Sequence, residues 1–456
     1  MQPIHHLFSR AGFGLSPQEW ARWQDQQPHR AVDQLLREAR VPKPLEQPKM
    51  IIPQDPEKLT RDKRLELIQQ RLQQVAQINA EWMLRMAHPS ESALLERMTL
   101  FWHGHFACEI RGGELAISYL NTLRQHGLGH FGELTKAVAR EPAMIRYLNN
   151  QQNRKQSPNE NFARELMELF TIGRGHYSEQ DVQEAARAFT GWSSTLQGTY
   201  RFRPFWHDYG SKTFMGHTGK FGGDDIIDLI LERRETADFI AQKLYRYFVH
   251  PAGHSLREQE LAEVLYQSDY HIGQTMSHLL RADWFYAPEN WRVQIKSPVV
   301  LLAGLMRALQ VKAPDRMSLV YIQRLLGQTL FRPPNVAGWP QGRQWIDNAT
   351  LMNRLNLAQA IVQGSSLPGR AKDNPKAANR TERPAKMQVE VDLRPLWQLV
   401  RAASAKDALN NLMAYLLPGQ SVSNDLIRQY SRGASPQEEV AFMAVRLMTM
   451  PEYQLC

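Results

Sequence analysis

The stretch SPNENFARELMELFTIGRGHYSEQDVQEAARAFTGW, residues 157–192, reads as two helices joined by a tight polar turn. Ser157, Pro158 and Glu160 fall at N-cap, first-turn and N3 positions, a capping box with proline where its missing N–H does no harm. Gly173 is placed to accept the left-handed conformation that ends the helix. Ser178 with Asp181 repeats the capping pattern, and Gly191 closes the second helix. Phe162, Leu166, Leu169 and Phe170 recur at i, i+4, i+7 and i+8, the spacing of a face that packs on a core. Asn161, Arg164, Glu165 and Glu168 form a stripe on the opposite side. That stripe fits either the lining of a cleft or ordinary i,i+4 pairing on a solvated face.

Working outward, helical patterns dominate the 456 residues. A helix, a glycine turn and a second helix capped at Ser16 open the chain. His5 and His6 lie at its mobile end and read as structural or incidental. Prolines from Val41 to Pro56 mark a linker or surface loop. A long helix follows over about 57–88, with Leu65, Ile68, Leu72, Val75, Trp82 and Met86 as its packing seam and Asn79 as the polar interruption. After Trp192 comes the one β signal, Tyr200 and Phe202 alternating with arginines, then KTFMG, read together as a small hairpin flap. Helices resume from Asp224 and include one capped at Ser297 with Pro298 at N1. The expected fold is mainly α, a multi-helix orthogonal bundle with a β-hairpin flap. The expected organisation is N-terminal helices and linker (1–56), a main body (57–362), a basic linker (363–390) and a terminal helical segment (391–456).

Apolar residues make up 43% and charged residues 22%, values of a globular protein. No apolar run reaches the 18–20 or so residues that span a bilayer. No signal peptide is visible, which fits either a cytoplasmic protein or a mature or truncated form. Cys108 and Cys456 are the only cysteines, too few for a disulfide framework or a cysteine zinc site; Cys108 reads as a packed thiol. The formal charge is +9. Six basic residues between Gly364 and Lys386, against Asp373 and Glu382, carry nearly half of it. The remainder is diffuse and no nucleic-acid motif is present, so a nucleic-acid partner is not expected.

Four groups of residues could do chemistry. His103 and His105 in FWHGHF flank Gly104, which permits a bend bringing both imidazoles together; they fit either a metal pair lacking further ligands or histidines bonded to helix carboxylates. Glu165 and Glu168 are spaced for a general acid/base pair, with Arg164 tuning one of them, or for a structural ion network. His207, Asp208 and Lys212 in WHDYGSK surround a glycine turn that could cap a cleft, although Asx-turn chemistry explains Asp208 equally well. In FRPPNVAGWPQGRQW, Asn335 with Trp339 and Trp345 offers an amide beside flat apolar faces, suited to sugar rings or to a rigid packed loop. No phosphate loop, nucleophile elbow, HExxH or dinucleotide fingerprint occurs, so no cofactor is expected.

LFSRAGFGLSPQE, FWHGHF, residues 160–192, HDYGSKTFMG, ETADFIAQKLYRYFV and residues 331–354 occur in that order. In these pieces the chain resembles the bacterial family catalogued as domain of unknown function 1800. The resemblance covers roughly three-quarters of the chain and supplies no catalytic residues. It implies an envelope or extracellular setting and a sulfatase-like partner protein. Family members commonly carry Gly-Gly-Tyr-Thr where this chain has Gly175, His176, Tyr177 and Ser178, so His176 is not carried over as a family ligand. The function expected is a hydrolase- or lyase-type enzyme acting on a glycan or other hydroxyl-rich substrate. Glu165, Glu168, Arg164, His103 and His105 would be catalytic; Asn161, His207, Asp208, Lys212, Asn335, Trp339 and Trp345 would hold substrate. The alternatives are a non-catalytic envelope binding or scaffold protein and a metal enzyme using the His-Gly-His pair.

Overall fold

A computed structural model describes residues 2–46, 48, 60–312, 315–367, 389–401, 405–419 and 435–456. Most of the basic linker and of the proline-rich segment therefore lies outside the described residues. Among those described there are twenty α-helices and only two-stranded sheets. No helix among them is long and apolar enough to cross a membrane.

Capping sets the first helices. Pro3 opens α1 (Pro3–Ala11), the Ser16–Glu19 capping box opens α2 (Pro17–Trp23), and Pro28 opens α3 (Pro28–Ala39). His5 and His6 are not at a loose end: α1 packs into the core, and His6 is wholly buried. Then comes α4 (Arg61–Ala87), whose exposed Leu65 and Ile68 leave its first half unpacked while Trp82 and Met86 are buried. Asn79 does not interrupt the seam. It is buried, donating to Leu330 O at 3.3 Å and accepting from Gln323 at 2.5 Å.

The centre of the molecule is α5 (Ala93–His105), buried on nearly every side. Packed beside it are α3, α4 and α6 (Gly113–His126), and α7 (Phe131–Arg140) and α8 (Pro142–Tyr147) pack in turn on α6. Glu96 of α5 pairs with Arg124 of α6, and Trp82 Nε1 of α4 donates to Glu96 at 2.8 Å. Both charged side chains are at most 3% exposed. Three helices are thereby tied at one dry point.

Residues 157–192 depart from the straight reading. The helix starts late, as α9 (Asn161–Glu165), because Asn153 and Asn159 side chains take the amides of Asn159 and Asn161, while Ser157 bridges to Arg154. The Ser157 capping box does not form. From Leu166 to Thr171 the helix widens into a π turn. Gly173, at φ 81°, ends it as expected. The Ser178–Asp181 box does open α10 (Glu179–Ala188).

The flap is two hairpins. β1 (Trp192–Ser194) pairs with β2 (Tyr200–Phe202), and β3 (Lys212–Phe214) with β4 (His217–Gly219). KTFMG thus turns back on its own continuation, because Met215 and Gly216, at φ 47° and 86°, make the tight left-handed turn that hairpins favour. Next come α11 (Gly223–Leu231), α12 (Arg234–Phe248), α13 (Ser255–Gln267), α14 (Ile272–Arg281) and the Ser297-capped α15 (Pro298–Ala308). α16 (Arg316–Leu326) and α17 (Asn348–Gln363) complete the body. Strand β5 (Val311–Lys312) pairs with β6 (Glu390–Val391), which leads to α18 (Arg394–Val400), α19 (Ala405–Leu416) and α20 (Pro436–Thr449). One connected core runs from Ile4 to Tyr453, so the first and last helices share it.

Removing one partner of a buried pair strands the other charge. Glu96→Ala is expected to lose about 3–5 kcal/mol of unfolding free energy in chemical denaturation. A loss under about 1 kcal/mol would show that Arg124 finds another counter-charge.

Candidate active site

The two histidines diverge. His103 accepts from Phe331 N at 3.3 Å and stacks on Trp339, with centroids 5.1 Å apart and planes at 19°. Burial pushes its pKa down to about 3. His105 points the other way, its Nε2 donating to Phe170 O at 2.9 Å. Lys243 of α12 donates to Leu169 O at 3.0 Å and lies 3.4 Å from His105 Nδ1. Burial first, then Lys243, holds His105 well below the ordinary imidazole range; burial alone lowers Lys243 to about 8. His105 and Lys243 therefore serve as donors to carbonyls at the end of the π turn. The His-Gly-His pair makes no chelate, and among the described residues no three His, Cys, Asp or Glu side chains are placed to hold a metal ion.

The polar stripe is split rather than shared. Arg164 forks onto Glu179 of α10 at 2.8 and 2.7 Å and reaches back to Glu160 at 3.0 Å. Glu168 accepts from Arg174 at 2.6 Å and from the Tyr177 hydroxyl at 3.2 Å. Two features cause the split: α10 returns alongside α9, and the π turn rotates Glu168 out of the regular phase. Glu165 is left over. It is partly buried and no hydrogen bond to its carboxylate is found among the described residues. Burial raises its pKa, Glu168 raises it further, and Arg164 and Arg174 only partly offset this. Arg164 is thus no dedicated tuner of Glu165.

The neighbour that sequence reasoning missed is Tyr147, the last residue of α8. Burial pushes its hydroxyl up to about 12, with further contributions from Cys108, Glu109 and Glu165. The charges of Glu165 and Glu109 thus both act on Tyr147. Glu109 belongs to the segment leaving α5, and Ile110 N donates to Phe331 O at 3.0 Å, which brings the 331–345 loop alongside. Gly338 (φ 86°) approaches so closely that a Cβ there would lie 2.5 Å from Gly104 O. Asn335 is exposed, its Oδ1 closing an Asx turn onto Ala337 N at 2.9 Å. Trp339 is partly exposed, whereas Trp345 is buried and offers no platform. Asn161 donates to Leu148 O at 3.1 Å. Cys108 is buried and its thiol is pushed far up by burial, as a packed thiol should be.

His207, Asp208 and Lys212 are held elsewhere, against α10. His207 Nδ1 donates to Thr190 O at 2.8 Å, Asp208 is held by Arg187 at 2.8 Å, and Lys212 Nζ donates to Asp208 O at 2.6 Å. This is a closed network that pins the hairpins. None of the three bonds to the Glu165 region.

With that geometry in hand, the comparisons give the class of protein. The model of a family described as "Protein of unknown function (DUF1800)" matches residues 6–455. The chain belongs to that family. No curated protein and no solved structure matches it.

Glu165 binds its proton more tightly in the folded than in the unfolded chain. The stability this contributes is full below the ordinary value of 4.5 and is lost as pH rises through the folded pKa. Glu165→Gln is therefore expected to unfold at higher denaturant than the wild type at pH 7, with the gap closing in acid. A gap that widens in acid would reverse the assignment. For Gly338→Ala, the positive φ and the overlap with Gly104 predict a loss of about 1–3 kcal/mol in thermal or chemical unfolding. An unchanged protein would mean that the loop is not seated on α5.

Proposed function

We propose that the protein is a carboxylate acid/base enzyme of hydrolase or lyase type, with Glu165 as the proton-transferring group. The observation that carries this is the state of Glu165 itself: partly buried, raised in pKa and unpaired among the described residues, beside the ion-paired Glu168. Two neighbouring carboxylates in contrasting environments suit one to move a proton and the other to keep its charge. A π turn under the pair adds weight, since such turns cluster at functional sites. Protonated, Glu165 can give its proton to the oxygen that departs as a C–O bond breaks. Ionised, it can take one from an attacking water or from a carbon next to the leaving group. Tyr147 supplies a hydroxyl on which the Glu165 charge acts.

The substrate class, a glycan or other hydroxyl-rich molecule, is supported by Asn335 and Trp339 on the adjoining loop. An envelope setting and a sulfatase-like partner protein rest on the family alone. The second reading, a non-catalytic binding or scaffold protein, is favoured by the closed network of Arg187, His207, Asp208 and Lys212.

Release of reducing sugar from purified bacterial envelope glycans by the full chain tests the proposal. Glu165→Gln should lower the rate by about 10²–10⁴-fold while the protein stays folded. Arg164→Ala, whose partly exposed ion pairs are worth under about 1 kcal/mol, should keep most of the activity. Full activity in Glu165→Gln would overturn the assignment, and no release by the wild type would favour the binding protein.

A further inference from the structure

The segment between the two hairpins holds aromatic rings out in water. Among the described residues Phe205 is the most exposed large apolar side chain, at 89%. Tyr209 is 58% and Phe202 39% exposed. The His207 ring joins the last two, edge-on to Phe202 at 5.3 Å and to Tyr209 at 4.7 Å between centroids. Single exposed apolar residues are ordinary, but several gathered at one turn mark a contact surface.

The tip is braced rather than loose. Pro204–Trp206 form a single tight helical turn. Lys155 N donates to Trp206 O and Arg203 N to Gly191 O, both at 2.8 Å. Gly191, at φ 81°, permits this approach, since a Cβ there would lie 2.7 Å from Arg203 O. The hydrogen bond from His207 to Thr190 O fixes the other end of the turn. A fixed backbone therefore presents the rings to solvent.

Cations surround this tip. Arg201 and Arg203 flank Phe202 in the chain, and Arg154 and Lys155 come alongside through the Lys155–Trp206 hydrogen bond. The guanidiniums of Arg154 and Arg203 lie over the Trp206 ring, 4.0 and 4.5 Å from its centroid. Arg154, Lys155 and Arg201 are exposed. No Asp or Glu occurs in 149–159 or in 192–207, and Asp208, next in the chain, is held by Arg187. None of the four cations is ion-paired with a carboxylate among the described residues.

Apolar rings with a surround of positive charge complement a surface that is negative outside and apolar just beneath, the interface of an anionic bilayer. Sugars and bases stack on an open aromatic face. Here the broadest ring, Trp206, is occupied by guanidiniums, whose remaining N–H groups suit headgroup phosphates. Phe205 stands clear of them as an apolar wedge.

We propose that the aromatic tip of Phe202, Phe205 and Tyr209, with the four cations around it, is a docking surface for an anionic lipid bilayer. The protein would lie on that surface without crossing it. The proposal is independent of the Glu165 reading, and neither stands or falls with the other.

The test is flotation of the full chain with vesicles of phosphatidylcholine and with vesicles of equimolar phosphatidylcholine and phosphatidylglycerol. Binding to the mixed vesicles alone, weakening as salt rises, is expected. Phe205→Ala should weaken it about tenfold, because one ring is lost from the acyl boundary. Arg154→Gln and Lys155→Gln should each weaken it about fivefold. These side chains are exposed, so the core is untouched by the changes. Leu256→Ala, at an exposed apolar residue of α13, should bind as the wild type does. No flotation with the mixed vesicles would overturn the proposal. So would undiminished binding by Phe205→Ala, or an equal loss in Leu256→Ala, which would show unspecific adsorption. Retention on an acidic polysaccharide such as polygalacturonate, without flotation, would overturn it in favour of a glycan-binding face.

Discussion

The buried contact between Glu96 and Arg124, held by the Trp82 indole, is the constraint on which the rest of the molecule depends. In a dry interior an ion pair tolerates little displacement, because separating the charges exposes each to the full cost of burial. It fixes α4, α5 and α6 against one another. With α5 fixed, each of its polar residues acquires a single environment. Arg97, one residue beyond Glu96, lies over the rings of Tyr247 and Phe13. At the other end, His103 meets the 331–345 loop and His105 meets the π turn.

That arrangement explains why the two imidazoles of FWHGHF diverge. Residues two apart on a helix look in different directions, and α5 runs helically through Gly104 to His105. Each imidazole is driven to the neutral form by burial and is used as a hydrogen-bond group. The widened turn below His105 has a matching cause. Thr171 Oγ donates to Leu166 O at 2.6 Å, while His105 and Lys243 take the carbonyls of Phe170 and Leu169. Side chains thereby replace part of the regular helical ladder. The consequence reaches the surface, where Glu168 at the π turn is held by Arg174 and Tyr177 while its neighbour Glu165 accepts no hydrogen bond among the described residues.

The chain also divides its charges between two kinds of site. On the α9–α10 face, arginines meet carboxylates in half-exposed forks, which hold helices in register at little net gain. Arg10, Arg97 and Arg354 are instead deeply buried. The same residue type thus makes exposed ion pairs on one face and buried carbonyl and ring contacts on the other. Burial and partner count decide between them.

Much of the fold was legible in the residues themselves. The caps at Ser16, Ser178 and Ser297, the glycine stop at 173 and the apolar face of Phe162, Leu166 and Phe170 are local signals, encoded within a turn or two of where they act. Glu165 was legible as a candidate for the same reason. Tyr147 and Lys243 were not, because nothing within a few residues of either marks it, and Ser157 failed as a cap because the helix starts at Asn161, with the amides of Asn159 and Asn161 taken by the Asn153 and Asn159 side chains. The sequence alone determined which segments are helical, which faces are apolar and which family the motifs resemble. Only the tertiary structure decided which charge meets which: Arg164 with Glu179, Arg187 with Asp208, and Arg124 with Glu96. A charged side chain is selected by whatever lies within a few ångströms, and in this fold those neighbours come from segments up to hundreds of residues apart in the chain.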